Sequence, residues 1–145
     1  MAGPPAQNLQ NHARYVPLYH FAAAGLVALY FLHATLEMAK HFSATTLDAF
    51  VLAVAMILLF FYARAFALAV QDRVIRLEMR QRMQSLAPDL MPRFDELTAE
   101  QVTALRFAGD GELRALAGQV LDGRLRRGAD IKAQVKDWRA DHWRA

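Results

Sequence analysis

Residues Leu47–Leu68, LDAFVLAVAMILLFFYARAFAL, run without a helix breaker into Ala69–Ala87, AVQDRVIRLEMRQRMQSLA. The first stretch is long enough, at about 1.5 Å rise per residue, to cross a hydrocarbon core of roughly 30 Å. The second carries Arg73, Arg76, Arg80 and Arg82 against Asp72 and Glu78. The first cannot stay in water and the second cannot enter lipid. The pair therefore predicts one helix that leaves a bilayer and continues as an amphipathic cytoplasmic helix. Arg64 lies one turn from the inner end of the span, where its stem can snorkel to the phosphates; at the bilayer centre it would cost at least about 2.5 kcal/mol.

Working outward, Val16–Leu36 (VPLYHFAAAGLVALYFLHATL) is a first span of similar length, with Pro17 suited to its first turn. A secretory signal peptide fits poorly, because the run exceeds a signal h-region and a second span follows. The connection EMAKHFSATT holds Lys40 and Glu37 but no arginine. Arg14 precedes the first span and the arginine cluster follows the second, so the positive-inside rule puts both termini in the cytoplasm. Two spans joined by so short a loop pack antiparallel, and Ala24, Gly25 and Ala28 with Ala49 and Ala53 are small residues that permit close approach.

The chain has 145 residues, is 55% hydrophobic and carries a net charge of +3. That is too apolar for an average soluble domain and too charged for one wholly embedded. Cysteine is absent, which excludes disulfides, zinc–thiolate sites and cysteine nucleophiles. From residue 87 onward basic and acidic groups balance, so the excess charge is juxtamembrane and does not form a nucleic-acid-binding face.

The expected organisation is a polar N-terminal tail over 1–15, a transmembrane helical hairpin over 16–68, a basic juxtamembrane helix over 69–87 and a small cytoplasmic helical region over 88–145. Within the basic helix Val70, Val74 and Leu77 form one apolar side and Ile75, Met79 and Met83 the next. PDLMPRFDEL, with two prolines, reads as a linker ahead of three short helices. Thr98 with Gln101 forms a capping box, and Leu97 with Val102 the matching staple. Asp110 is the next N-cap candidate, before Leu113, Leu116, Ala117, Val120 and Leu121 at helical spacing and Gly123 as a stop. A last helix begins after Asp130, with Ile131, Val135, Trp138 and His142 on one stripe. So small a unit is marginal alone and is expected to pack on the basic helix, a second copy or a partner.

Two constellations carry candidate chemistry. His33, Glu37 and His41 would share a slanted stripe if the first helix ran through position 41, and two imidazoles with a carboxylate can bind zinc, iron or copper, or relay protons. The plainer reading puts His41 past the helix end and Glu37 at the interface. His12, Arg14 and His20, with Arg64, Arg73, Arg76, Arg80 and Arg82, would contact anionic lipid headgroups, worth about 1 kcal/mol per arginine, or a partner's acidic loop. The plainer reading makes them a solvated face. A haem held by facing histidines is ruled out within one chain, since the second span has none. Gly109 alone separates two of the C-terminal helices and no basic recognition face emerges, which argues against DNA binding. No phosphate loop or nucleophile elbow is present, so an enzyme is not expected and no cofactor is implied.

Four stretches together carry a resemblance: QNHARYVPLYHF (Gln10–Phe21), RVIRLEMR (Arg73–Arg80), LTAEQVTALRFAGDGEL (Leu97–Leu113) and IKAQVKDWRAD (Ile131–Asp141). The chain resembles, over nearly its whole length, a family of small bacterial membrane proteins known only as a domain of unknown function. The resemblance implies a two-span protein of the bacterial inner membrane and supplies no activity and no functional residue. The sequence-based expectation is thus an all-α, multi-pass inner-membrane protein, a non-enzymatic interaction or assembly module. Its expected partners are the bilayer, anionic headgroups and a homo-oligomer or larger membrane complex, with no nucleic acid. An accessory subunit using His33 and Glu37 is the first alternative. A holin-like pore is the second, which the capped helices after Thr98 argue against.

Overall fold

A computed structural model describes residues 7–12 and 15–141. The regular elements among the described residues are all helices, with no strand and one isolated antiparallel bridge, between Ala108 and Trp138. The chain divides into two compact units, Tyr15–Leu68 and Met1–Arg14 together with Ala69–Ala145. The described N-terminal residues therefore belong with the C-terminal unit and do not stand apart as a tail.

In the first unit a π-helical turn, Leu18–Ala23, leads into α1, Ala24–Lys40. His41 leaves the helix in extended conformation, at φ −139° and ψ 90°. Ser43 starts α2, Ala44–Leu86: its hydroxyl accepts from the Thr46 N–H at 3.2 Å, and its own N–H donates to the Thr46 hydroxyl at 2.9 Å. This reciprocal cap satisfies amides that a helix start leaves open. The two helices meet along their length. Tyr19 stacks on Phe60 with ring centroids 4.4 Å apart and donates its hydroxyl to the Phe60 carbonyl at 2.6 Å. Phe31 packs on Phe50, and Ala34 and Ala53 are buried. Gly25 and Ala28 are exposed, so of the small residues expected between the helices these two face away. The helices Leu18–Lys40 and Ala44–Leu86 are each long and apolar enough to cross a membrane.

The second unit is built on the other half of α2. Ile75, Met79 and Met83 recur at every fourth position and are buried with Phe94, Val102, Leu105, Leu113, Leu116, Val120 and Ile131. Of the two apolar sides of α2, this one forms the core; Val70, Val74 and Leu77 are exposed. The segment expected as a linker is a 3₁₀ helix, Pro88–Glu96. Its prolines fix φ near the helical value and Pro88 stands at its start, where a missing N–H is harmless. Phe94, fully buried, ties this turn to the core.

The helix α3, Ala99–Leu105, opens with the expected capping box: the Thr98 hydroxyl accepts from the Gln101 N–H and the Gln101 carbonyl oxygen from the Thr98 N–H. The next helix, α4, Asp110–Leu121, is capped one residue earlier than expected, at Gly109. Glycine has no side chain to accept, so only the reverse half of the box is present, the Glu112 carboxylate accepting from the Gly109 N–H at 3.4 Å. The last helix, α5, Gly128–Gln134, begins before Asp130 and stops short of Val135, which breaks the expected stripe. Glu112 explains the stop. Its carboxylate takes the N–H groups of Lys136 and Asp137, each at 3.1 Å, and these are then lost to a continuing helix. His142, expected on that stripe, lies outside the described residues.

Candidate functional site

Arg76, Arg80 and Arg82 of α2 reach across to the elements packed on its core face, and the geometry converts them from a charged surface into fasteners. Arg76 and Arg80 lie over the two-sided Phe94 ring at 5.1 and 4.8 Å from its centroid, and both reach the Asp95 carboxylate, at 3.1 and 2.5 Å. Arg76 also donates to the Leu97 carbonyl at 2.9 Å. The two guanidiniums beside Asp95, Arg80 first, hold its carboxyl below the usual range. A buried aromatic is thus roofed by two cations that the neighbouring acid neutralises.

Arg82 is the most enclosed of the set, its side chain 11% exposed. It donates to Asp110 from Nε at 2.8 Å and Nη2 at 2.6 Å, to the Ala108 carbonyl at 2.6 Å and to the Arg106 carbonyl at 3.3 Å. Those carbonyls lie just beyond the end of α3, where helices leave acceptors unsatisfied, and Asp110 opens α4. One guanidinium therefore caps one helix and grips the next. The bond from Arg82 keeps the Asp110 carboxyl below its ordinary value.

Beside Arg82 an open cleft of about 620 Å³ is lined by Glu78, Arg82, Arg106, Asp110, Arg139 and Asp141 among others. Arg106 is buried, donates from Nε to Asp141 at 3.0 Å and from Nη1 to the Thr103 carbonyl at 3.0 Å, and stands 4.2 Å from the Phe107 ring centroid. Three arginines and three acids line the cleft, so its charge cancels, and all of them but Glu78 pair with one another.

The N-terminal residues close this unit. The Gln7 amide donates to the Asp141 carbonyl at 3.0 Å and accepts from the Asp141 N–H at 2.8 Å. His12 packs edge-on against Phe107 at 5.4 Å and against Trp138 at 5.9 Å, with the Lys132 amine 3.3 Å from its Nε2. Accepting from an ammonium requires Nε2 to be unprotonated, which leaves Nδ1 to donate to the Leu9 carbonyl 2.9 Å away.

The remaining sequence candidates are not gathered into one site. His33 is exposed, Glu37 pairs with Lys40 at 3.0 Å, and His41 stands past the end of α1. Among the described residues no group of three or more His, Asp or Glu is arranged to hold a metal ion. His20 binds the backbone of Val16 and packs against Tyr15 and Tyr19. Arg64 is half-buried, Arg73 is exposed, and Arg14 lies outside the described residues. Sequence reasoning missed Gln7, Asp95, Arg106, Asp110 and Asp141 as partners. Only the acid balance after residue 87 hinted that the arginines of α2 had takers.

Comparison with protein families matches residues 1–145 to the Family of unknown function (DUF6526). No curated protein and no solved structure matches the chain. The arginine-fastened helical unit and the apolar helix pair are thus features of a protein that, over its whole length, belongs to the DUF6526 family of unknown function.

Proposed function

We propose that the protein is an integral membrane protein of the bacterial inner membrane, a non-enzymatic assembly module whose helical unit stands in the cytoplasm with both termini. The carrying observation is the exposure of the two apolar helices: within the most apolar 18-residue window of each, 6% is buried. A core helix of a soluble protein would be mostly covered. Large side chains such as Leu18, Phe21, Leu26, Leu29, Leu59, Phe61 and Phe66 instead lie open, and an apolar surface of this kind marks a membrane or protein contact. Lipid is the solvent that accepts such a surface. The pairing of Tyr19 with Phe60 and of Phe31 with Phe50 supports a retained span over a cleaved leader.

Two further observations support the topology and the role. Gln7 is bonded to Asp141, which supports a reading with both ends of the chain on one side, as an even number of spans gives. The arginines that follow the second apolar stretch support reading that side as the cytoplasm. The helical unit is a folded body fastened by ion pairs, with the arginines of its cleft held by Asp110 and Asp141, which suits presentation of a surface to other chains better than turnover of a substrate. A membrane-lytic pore has no need of such a unit.

The test is alkaline carbonate washing of membranes, with reporter fusions at the C-terminus and in the loop at Phe42, followed by mild-detergent purification from native membranes. The expected result is retention in the membrane, cytoplasmic reporter activity at the C-terminus only, and a complex heavier than one chain. Release by carbonate overturns the membrane reading. A bare monomer overturns the assembly role.

A further inference from the structure

The helical unit leaves one apolar strip uncovered. Val70, Val74 and Leu77 of α2 are 62%, 47% and 68% exposed. At about 100° per residue they fall on a single line, on the side of α2 opposite Ile75, Met79 and Met83. The rest of the unit is packed against that core side and does not obstruct the strip.

Lipid does not reach the far end of this strip. Leu77 lies nine residues past Leu68, the last residue of the apolar stretch, which is about 13 Å along a continuous helix. The headgroup layer is only roughly 5–8 Å deep on each side. The part of the strip that is clear of the bilayer, Leu77 above all, stays in water unless protein covers it.

The flanks say which protein. Arg73 borders the strip on one side and Glu78 on the other, both exposed, and neither has an ion-pair partner among the described residues. They are five residues apart. When two identical helices lie parallel, the residue on one flank faces, on the partner, the residue five positions later on the other flank. An Arg73–Glu78 spacing is self-complementary in that arrangement and gives two pairs by symmetry. Valine at the position of Val74 with leucine at that of Leu77 also favours two strands.

We infer that Val70, Val74 and Leu77 form the seam of a parallel homodimer, flanked by Arg73 of each copy on Glu78 of the other. This rests on the membrane reading above, because insertion in a common orientation is what makes the copies parallel. It deepens the assembly role by naming a second copy of the chain as partner.

The chain has no cysteine, so single cysteines report without background. The variants V74C and L77C, with A115C on an exposed position of α4 as control, are oxidised with copper phenanthroline in carbonate-washed membranes. The expected result is a band of twice the chain mass for V74C and L77C and none for A115C. R73E and E78R, each introduced into V74C, lower that band several-fold, and R73E/E78R together restores it. The membrane level of each variant controls for folding. Absence of the band from protein that stays in the washed membrane overturns the dimer. A cross-linked band of a different mass also overturns it in favour of another protein. Loss of the protein on washing overturns the membrane reading, and the dimer with it.

Discussion

Arg82 and Asp110 hold each other through two hydrogen bonds to the same carboxylate oxygen, 2.8 Å from Nε and 2.6 Å from Nη2, across 28 residues of chain. The acid is exposed and the arginine is not. The arginine also serves the carbonyls of Arg106 and Ala108, so the two partners are unequal, and removing them has unequal consequences. Arg82→Ala strands two carbonyls at the end of α3 and is expected to destabilise the helical unit by about 2–3 kcal/mol, the range of charge-assisted bonds lost from an enclosed site. Arg82→Lys recovers little, since an ammonium cannot span carbonyl and carboxylate together. Asp110→Asn is expected to be mild. Limited proteolysis of the full chain in detergent, which reads the opening of the unit, checks the order; equal protection of all three variants would refute it.

The same exposed carboxylates predict how the unit responds to acid. Hydrogen bonds from arginine hold Asp89, Asp95, Asp110 and Asp130 below their ordinary value of 3.8, the donors being Arg114, Arg80 with Arg76, Arg82 and Arg127. A carboxyl whose folded value is depressed contributes stability above its unfolded value and loses it as pH falls through the folded one. These ion pairs are therefore expected to give the helical unit a constant contribution between about pH 5 and 8 and to weaken progressively below about 4, more steeply at low salt than at high, because the pairs are exposed and screened. Thermal unfolding followed by circular dichroism over pH 3–7 measures this. A melting temperature unchanged at pH 3 would show that the pairs contribute nothing.

The N-terminal residues are expected to act as a strap on the C-terminal segment. Gln7 makes two bonds to the Asp141 backbone, and His12 covers the Phe107 and Trp138 rings. Gln7→Ala removes both bonds, at about 0.5–1.5 kcal/mol each, and should speed amide exchange at Trp138–Asp141 while leaving α3 and α4 protected. His12→Ala exposes Trp138 and should shift its fluorescence to longer wavelength, read in a background with Trp143→Phe. Exchange rates in the C-terminal segment that match the wild type would mean the strap bears no load.

What the sequence made legible was local. Thr98 and Gln101 are three residues apart, so their cap is a matter of chain geometry, and the buried run Leu113, Leu116, Ala117 and Val120 follows from one helical period. The partners of Arg76, Arg80 and Arg82 were hidden because Asp95 and Asp110 stand 15 to 28 residues away, and no spacing rule links them. Choosing between the two apolar sides of α2 failed for a related reason. Ile75, Met79 and Met83 are no more apolar as a set than Val70, Val74 and Leu77; what selects them is the position of Phe94 and α3, which only the fold supplies. His12 was legible as a polar residue before a span, but its aromatic neighbours lie more than ninety positions further on.

Two glycines, one inside α4 and one just past its end, should respond in opposite directions to the same substitution. Gly123 has φ +73°, its N–H donates to the Val120 carbonyl at 3.0 Å, and the Arg124 N–H donates to the Gln119 carbonyl at 3.0 Å. Those two bonds are the Schellman closure of a helix end, which places its turning residue in the left-handed region. Alanine there crowds its Cβ against the following carbonyl, so Gly123→Ala should cost about 1–2 kcal/mol. Gly118 sits inside the helix, and a Cβ added to it meets nothing within 4 Å. There glycine only adds conformational freedom to the unfolded chain, so Gly118→Ala should gain about 0.5–1 kcal/mol. Paired melts of the two variants decide the matter: both moving the same way would mean that α4 does not end where the bonds at Gly123 place it.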